Sequence, residues 1–245
     1  MNEQRRRRTV VLALDSSPGA QTLQMALQLA MQMQARLEGV FVEDTDLLQL
    51  ARLPFAREII LLSAQLRPFA SDALEQELRS QALRLQRQLA REAEARQLEW
   101  GFSVVRDRLL RAVRAAASDA DLFIMQSHRR PRTSPLAAIG VVYDGTMAPI
   151  ETAAQLAQHG TVRVFLSRQF DNNRSEITQR ITSYGAHPVF ITLHNYNPAE
   201  LGEVARHQRL SLLILPNTLV VDDASLQPLL ESAPCTVVVK EHPSH

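Results

Sequence analysis

The sequence predicts an α/β fold with two tandem doubly wound parallel sheets, and three observations carry that prediction. Short β-branched and apolar runs alternate with helical patterns along the chain, the order expected of parallel strands joined by crossover helices. The strand runs are continuously apolar, which marks burial on both faces. Past the midpoint the order of elements begins again. "VVLALDSSPGAQTLQMALQLA" (Val10 to Ala30) and "VVYDGTMAPIETAAQLA" (Val141 to Ala157) each pass from an apolar segment into Asp, a small residue, then Ser or Thr. A proline and an Ala/Leu-rich helical pattern follow in both. Asp15 and Asp144 hold the same place in the two copies.

In the first copy, Thr9 to Leu14 is the opening strand. Asp15-Ser16-Ser17-Pro18-Gly19 is a turn, with Pro18 placed where the first turn of a helix tolerates it. Leu23, Ala26, Leu27, Ala30 and Gln34 keep helical spacing, with Met25, Leu29 and Met33 widening the apolar face. "LEGVFV" (Leu37 to Val42) is the second strand, so the pair requires a right-handed crossover.

An excursion follows. "DLLQLARLPFAREIILLSAQLRPF" is apolar but broken at Pro54 and Pro68, and reads as short helices or loop. Asp72-Ala73-Leu74-Glu75 resembles a capping box and opens a helix to about Gln97. Leu74, Leu78, Ala82, Leu85 and Leu89 form a stripe suited to packing on a sheet, with Arg79, Arg84, Arg87, Arg91 and Glu92 mostly off it. "WGFSVV" and "DLFIMQS" are the next strands, separated by the helical "DRLLRAVRAAAS". The basic "HRRPRTSP" then reads as a linker. The expected boundaries are a basic tail at 1–8, a first domain at 9–134 and a shorter second domain at 135–245.

The second copy is compressed. Strand "IGVVYD" leads to a helix around Ile150 to His159, strand "TVRVFLS", and helix "SEITQRITSYG" closed by Gly185 as a C′ glycine. Strand "PVFITL", a helix from about Pro198 to Gln208, strand "SLLILP", the segment "NTLVVDDASLQPLLESAP" and a last strand "CTVVVKE" complete it.

Composition narrows the function classes. With 45% hydrophobic and 22% charged residues the chain can form a packed core, and a formal net charge of +1 gives no global case for nucleic acid or membrane binding. The one cysteine, Cys235, lies in an apolar strand and reads as a core thiol. The apolar run after Arg5 to Arg8 stops at Asp15, short of the roughly 7–15 residues of a signal h-region. No run approaches the ~20 apolar residues of a membrane span. The expectation is a cytoplasmic protein with a solvated basic tail. Seven histidines are scattered, and only His242 and His245 are close, on a terminal tail, so no metal site is expected.

The order strand, Asp-x-[Ser/Thr], helix with Ala-Leu-x-Leu-Ala, strand, long helix, strand, helix, strand resembles a universal stress protein domain. "VEDTDLL" after the second strand and the ending "SAPCTVVVKE" are similar to that family's elements. The likeness covers most of 9–242 as two copies, within the broader adenine nucleotide alpha hydrolase-like fold group. It implies either an ATP-binding or a non-binding branch. The binding branch carries a G-x2-G-x9-G-[Ser/Thr] loop, whose glycines let backbone N–H groups reach the phosphates. Here no glycine occurs from His128 to Ile139, or from Pro216 to Pro234, and Asp222 and Asp223 add negative charge to the second stretch. The non-ATP-binding branch is implied, with no cofactor.

Asp15 and Asp144, which this resemblance places near an adenosine, read first as turn formers that start a helix. With Ser16 and Gly145 they are the candidate ligand contacts. His128, Arg129, Arg130 and Arg132 follow a strand's carboxyl end, where open α/β sheets bind ligands, and could hold an anion; an exposed linker is the plainer reading. The expected function is a non-catalytic regulatory module acting through a protein partner or a homodimer. A sensor for a nucleotide or other small anion is the alternative, and a nucleotide hydrolase the third. The apolar segment Leu53 to Phe69, with Leu62 at its centre, is the candidate contact surface.

Overall fold

The continuous apolar runs become strands covered on both faces, because crossover helices lie on either side of the sheet. The computed structural model describes residues 8–14, 20–53, 57–60, 65–68, 71–107, 120–125, 138–194, 196–219, 223–233 and 235–240. The first part of the chain supplies β1 (Thr9–Leu14), α1 (Ala20–Met33), β2 (Arg36–Asp44), α2 (Thr45–Ala51), β3 (Arg57–Ile60), β4 (Gln65–Pro68), α3 (Ser71–Glu94), β5 (Trp100–Asp107) and β6 (Leu122–Met125). The rest supplies β7 (Ile139–Val142), α4 (Ala148–Ala157), β8 (Thr161–Ser167), α5 (Arg174–Ser183), β9 (His187–Leu193), α6 (Pro198–His207), β10 (Leu212–Pro216), α7 (Asp223–Ser232) and β11 (Thr236–Lys240).

Nine strands form one sheet in the order β5-β2-β1-β6-β11-β10-β7-β8-β9. All pairings are parallel except β6 with β11, which is antiparallel. The sequence led us to expect one sheet per copy; the structure has a single sheet. The reason lies in strand supply. The described residues up to Met125 give this sheet four strands, β1, β2, β5 and β6, and β11, the last described strand, lies against the open flank of β6. Side chains reinforce this junction. Lys240 Nζ donates to the Asp121 carbonyl at 3.0 Å, and Asp121 Oδ2 accepts the Thr9 backbone N–H at 2.8 Å.

Alternate strand residues feed two cores. Val10, Leu12, Leu14, Ile139 and Val141 face one layer with α1, α3, α4 and α5; Val11, Ala13 and Val142 face the other, with α6 and α7. The stripe on α3 packs as expected, with Leu78, Ala82 and Leu89 buried against this sheet. At the outer edge β9 presents Pro188. Its neighbour His187 points its N–H inward to the Gly160 carbonyl, so the proline nitrogen faces the open side, where no ladder bond is lost.

Three details differ from the sequence expectation. The excursion after β2 contains the short helix α2 and an antiparallel hairpin, β3–β4, rather than helices or loop alone. Its four-residue strands are too short to announce themselves by alternation. The segment "NTLVVDDASLQPLLESAP" contains α7, whose Pro228 disguises a helical pattern. Helix α3 stops before Gln97, which takes a left-handed φ of 55° while the Leu98 N–H returns to the Ala93 carbonyl. Gly185 is the C′ residue expected after α5, with φ of 79°. Leu62, the helical segment "DRLLRAVRAAAS" beyond Asp107 and the linker "HRRPRTSP" lie outside the described residues.

Candidate functional site

Asp144 follows β7 at the carboxyl edge of the sheet. From β7 the chain proceeds to β8 on one side and later returns to β10 on the other, so the β7/β10 boundary is a topological switch point. Gly145 has φ of 109°, a conformation that favours glycine, and lets the chain turn sharply into α4. Asp144 Oδ1 accepts the Thr146 backbone N–H at 3.0 Å and the Thr146 hydroxyl at 2.7 Å. Asp144 Oδ2 accepts the hydroxyl of Thr218, from the short 3-10 turn Asn217–Leu219 that follows β10. Both carboxylate oxygens are thus engaged by the chain itself, in the turn-forming manner the sequence suggested.

One strand away, β7 and β8 fork. The ladder bond from Tyr143 N–H to the Phe165 carbonyl is made at 2.9 Å. With Val142 opposite Phe165, the next parallel rung would run from the Ser167 N–H to the Tyr143 carbonyl. That rung is replaced by a tyrosine hydroxyl. The Ser167 N–H donates to Tyr196 Oη at 3.1 Å, and Tyr196 donates its proton to the Tyr143 carbonyl. Ser167 Oγ is buried at the same place, beside the Tyr196 hydroxyl. The Tyr143 ring is buried and meets Phe170 edge-on, centroids 5.2 Å apart and planes at 78°. Burial raises the pKa of both Tyr143 and Tyr196, so each phenol stays protonated well into alkaline solution.

Asp15, Ser16, His128, Arg129, Arg130, Arg132 and Asp222 lie outside the described residues, as does the tail from 241; the carboxyl edge of the first-half strands is described at the ends of β2 and β5. What is described there is ionic. Glu43, 7% exposed, receives Arg106 Nε at 2.9 Å and the same guanidinium's NH2 at 2.9 Å. Glu75 lies 3.8 Å from Arg106 and 3.5 Å from Arg52. Asp44 caps α2 by accepting the Asp46 N–H at 2.9 Å. The "VEDTDLL" stretch therefore does two local jobs, capping a helix and pairing with β5.

Sequence reasoning named Asp144 and Gly145 but missed Thr218, Tyr196 and Ser167. Thr218 carries a weak signal, a hydroxyl just past a strand that borders the switch point. Tyr196 carries none. Cys235 is fully buried and its pKa is pushed up to about 12 by that burial, so it is a core thiol and not a nucleophile. Among the described residues no cluster of three His, Cys, Asp or Glu is placed to hold a metal, and no helix is long and apolar enough to cross a membrane.

No family model and no curated protein matches the chain. Among solved structures, a universal stress protein from Archaeoglobus fulgidus superposes with a TM-score of 0.57 at 12% identity, covering 96% of this chain and 96% of that chain. This likeness establishes the fold. The α/β architecture is universal stress protein-like over nearly its whole length. A shikimate 5-dehydrogenase from Listeria monocytogenes, solved with shikimate and NAD, aligns over 88% of this chain and 71% of that chain at 9% identity. Its TM-score of 0.23 is too low for a shared fold, and nothing rests on it.

Proposed function

We propose that this chain is a tandem universal stress-type module of the non-ATP-binding kind, a cytoplasmic, non-catalytic regulator in a stress response that works through a protein partner or a second copy of itself. The observation that carries the reading is Asp144. Its two carboxylate oxygens accept from Thr146 and Thr218, which leaves the residue best placed for a ligand occupied by the chain. The missing glycines supply a second reason, because a triphosphate needs a donor aimed at each oxygen. The tandem reading, 9–134 and 135–245, is supported by strand order. The orders β5-β2-β1-β6 and β9-β8-β7-β10 repeat the same connectivity, third-second-first-fourth in each half.

The test is titration of the purified protein with ATP and magnesium, together with a search for nucleotide released on denaturation. The expected dissociation constant is no tighter than roughly millimolar, about −4 kcal/mol. Micromolar binding, or stoichiometric copurified adenine nucleotide, overturns the reading in favour of a nucleotide sensor. Turnover of ATP would overturn the non-catalytic assignment.

A further inference from the structure

The two outer edges of the nine-stranded sheet are built differently. At β9 the His187 N–H goes inward to the Gly160 carbonyl, so Pro188 stands on the open side and blunts that edge. At β5 the Leu37 N–H takes the Glu99 carbonyl, and with Trp100 opposite Leu37 the parallel ladder to β2 uses Glu99, Gly101, Ser103 and Val105. Trp100, Phe102, Val104 and Arg106 therefore turn their backbone N–H and C=O groups outward, where among the described residues no strand meets them. None of the four is proline. Their side chains share the face covered by α3: Trp100 and Phe102 pack on that core, Arg106 reaches Glu75, and Val104 is left 49% exposed. The guanidinium of Arg106, the one charge in the set, is drawn off to Glu43 and Glu75 and does not guard the edge. An eight-residue edge without proline, with an apolar face beside it, is a template for another extended strand.

We propose that this edge is a self-association surface, at which β5 of a second copy adds in antiparallel register about Ser103. A two-fold axis there covers the edge of both copies at once and leaves no β5 edge open. The register is self-complementary. The outward groups of Phe102 meet those of Val104, and those of Trp100 meet those of Arg106, so each N–H finds a carbonyl. On the α3 face it sets Phe102 against Val104, an aromatic ring beside a β-branched side chain, and Trp100 along the stem of Arg106. Its like-charge contact, Glu99 opposite Asp107, falls at the outer ends, where salt screens it. The proposal rests on the reading of this chain as a module that works through a partner, and it names that partner as a second copy and the docking element as β5.

The test is sedimentation velocity of the full chain over a range of concentrations, with amide exchange resolved by residue. The parent is expected to pass from 27.5 kDa to twice that mass as concentration rises. The Phe102 and Val104 amides are expected to exchange at least tenfold more slowly in the dimer than in the monomer. Val104→Lys puts a charge on the edge at an exposed position and is expected to weaken association at least tenfold. Val104→Pro removes an outward N–H that the ladder to β2 does not use, with the same expected result. A parent that stays monomeric, a dimer that both variants keep, or edge amides whose exchange ignores concentration overturns the proposal. The exchange measurement needs no variant, so it decides even if neither variant folds. A monomeric parent leaves the non-ATP-binding reading standing, because the nucleotide titration decides that separately; micromolar ATP binding by a dimeric parent overturns that reading and not this one.

Discussion

Thr218 donates its hydroxyl to Asp144 Oδ2 across the boundary between β7 and β10. The two residues follow neighbouring parallel strands, and their bond closes the switch point at which open α/β sheets usually receive a ligand. Asp144 thereby ties its own turn, through Thr146, to the turn after β10.

Replacing Thr218 by Val removes that donor and keeps the side-chain shape. Asp144 retains its bonds to Thr146, and solvent reaches the exposed Thr218, so the carboxylate is rehydrated rather than stranded. The expected cost is about 1 kcal/mol in urea unfolding. Thr218→Ser restores most of it. A Val variant as stable as the parent would show that the bond contributes nothing in solution.

Helix ends provide a second prediction. Gln34, Gln97 and Arg209 stand just past α1, α3 and α6 with φ of 51°, 55° and 51°. In each case the next residue's N–H returns to a carbonyl five residues back: Ala35 to Ala30, Leu98 to Ala93 and Leu210 to Ala205. This is the closing motif in which glycine is usual, because an L side chain in the left-handed region costs roughly 1–2 kcal/mol. Glycine's extra freedom in the unfolded chain offsets part of that gain. Gln97→Gly is therefore expected to stabilise the protein by up to about 1 kcal/mol, read as a raised urea midpoint with unchanged slope.

The same residues show what was legible in the sequence. Strand β8 coincides with the run "TVRVFLS", because Val162, Val164, Phe165 and Leu166 are buried and leave an apolar, β-branched signature that the half-buried Arg163 does not hide. Helix α3 was read to Gln97 because the chain has no glycine there to mark the stop. Helix α7 was hidden by Pro228. The Asp144 turn was visible as a local pattern of Asp, Gly and Thr, but its partner Thr218 comes from a distant part of the chain. Tyr196 was invisible for a deeper reason: its role depends on which rung of the β7–β8 ladder it enters, and a lone tyrosine carries no periodicity. The single sheet was missed likewise, since the pairing of β6 with β11 joins segments far apart in sequence.

Tyrosine ionisation gives a pH-dependent prediction. The pKa values of Tyr143 and Tyr196 are raised, in each case chiefly by burial, with the negative charge of Asp144 adding to it. The folded state therefore holds these protons more tightly than the unfolded chain, whose tyrosines ionise near pH ~10. Their contribution to stability is complete below that pH and is lost as the pH rises through the folded values. Stability should fall above about pH 10, less steeply in Tyr196→Phe than in the parent. Absorbance at the phenolate band should show both phenols titrating late in the native protein. Ordinary titration of Tyr143 and Tyr196 would remove the basis for this prediction.

The antiparallel junction makes a claim about cooperativity. If β11 completes the flank of β6, neither end of the sheet has a closed set of strands without the other. The junction carries four register pairs, Val237 with Met125 through Lys240 with Leu122, and their apolar side chains belong to both core layers. Lys240 and Asp121 fasten its end and reach through Asp121 to Thr9 in β1. Unfolding one half would expose β6 or β11 along a fully buried edge and strand Val238 and Ile124, both 0% exposed, in water. That penalty couples the halves, so unfolding is expected to be a single transition. Trp100, the one tryptophan, lies in β5 at the far end of the sheet and reports on the first half. Its fluorescence transition in urea should coincide with the loss of helical circular dichroism, to which all seven described helices contribute. Replacing Val238 with Asp places a charge in the junction and should destabilise both signals together, by more than about 4 kcal/mol. A Trp100 transition that separates from the helical one, in parent or variant, would mean that the halves fold independently and that the β6–β11 pairing is a contact between autonomous units.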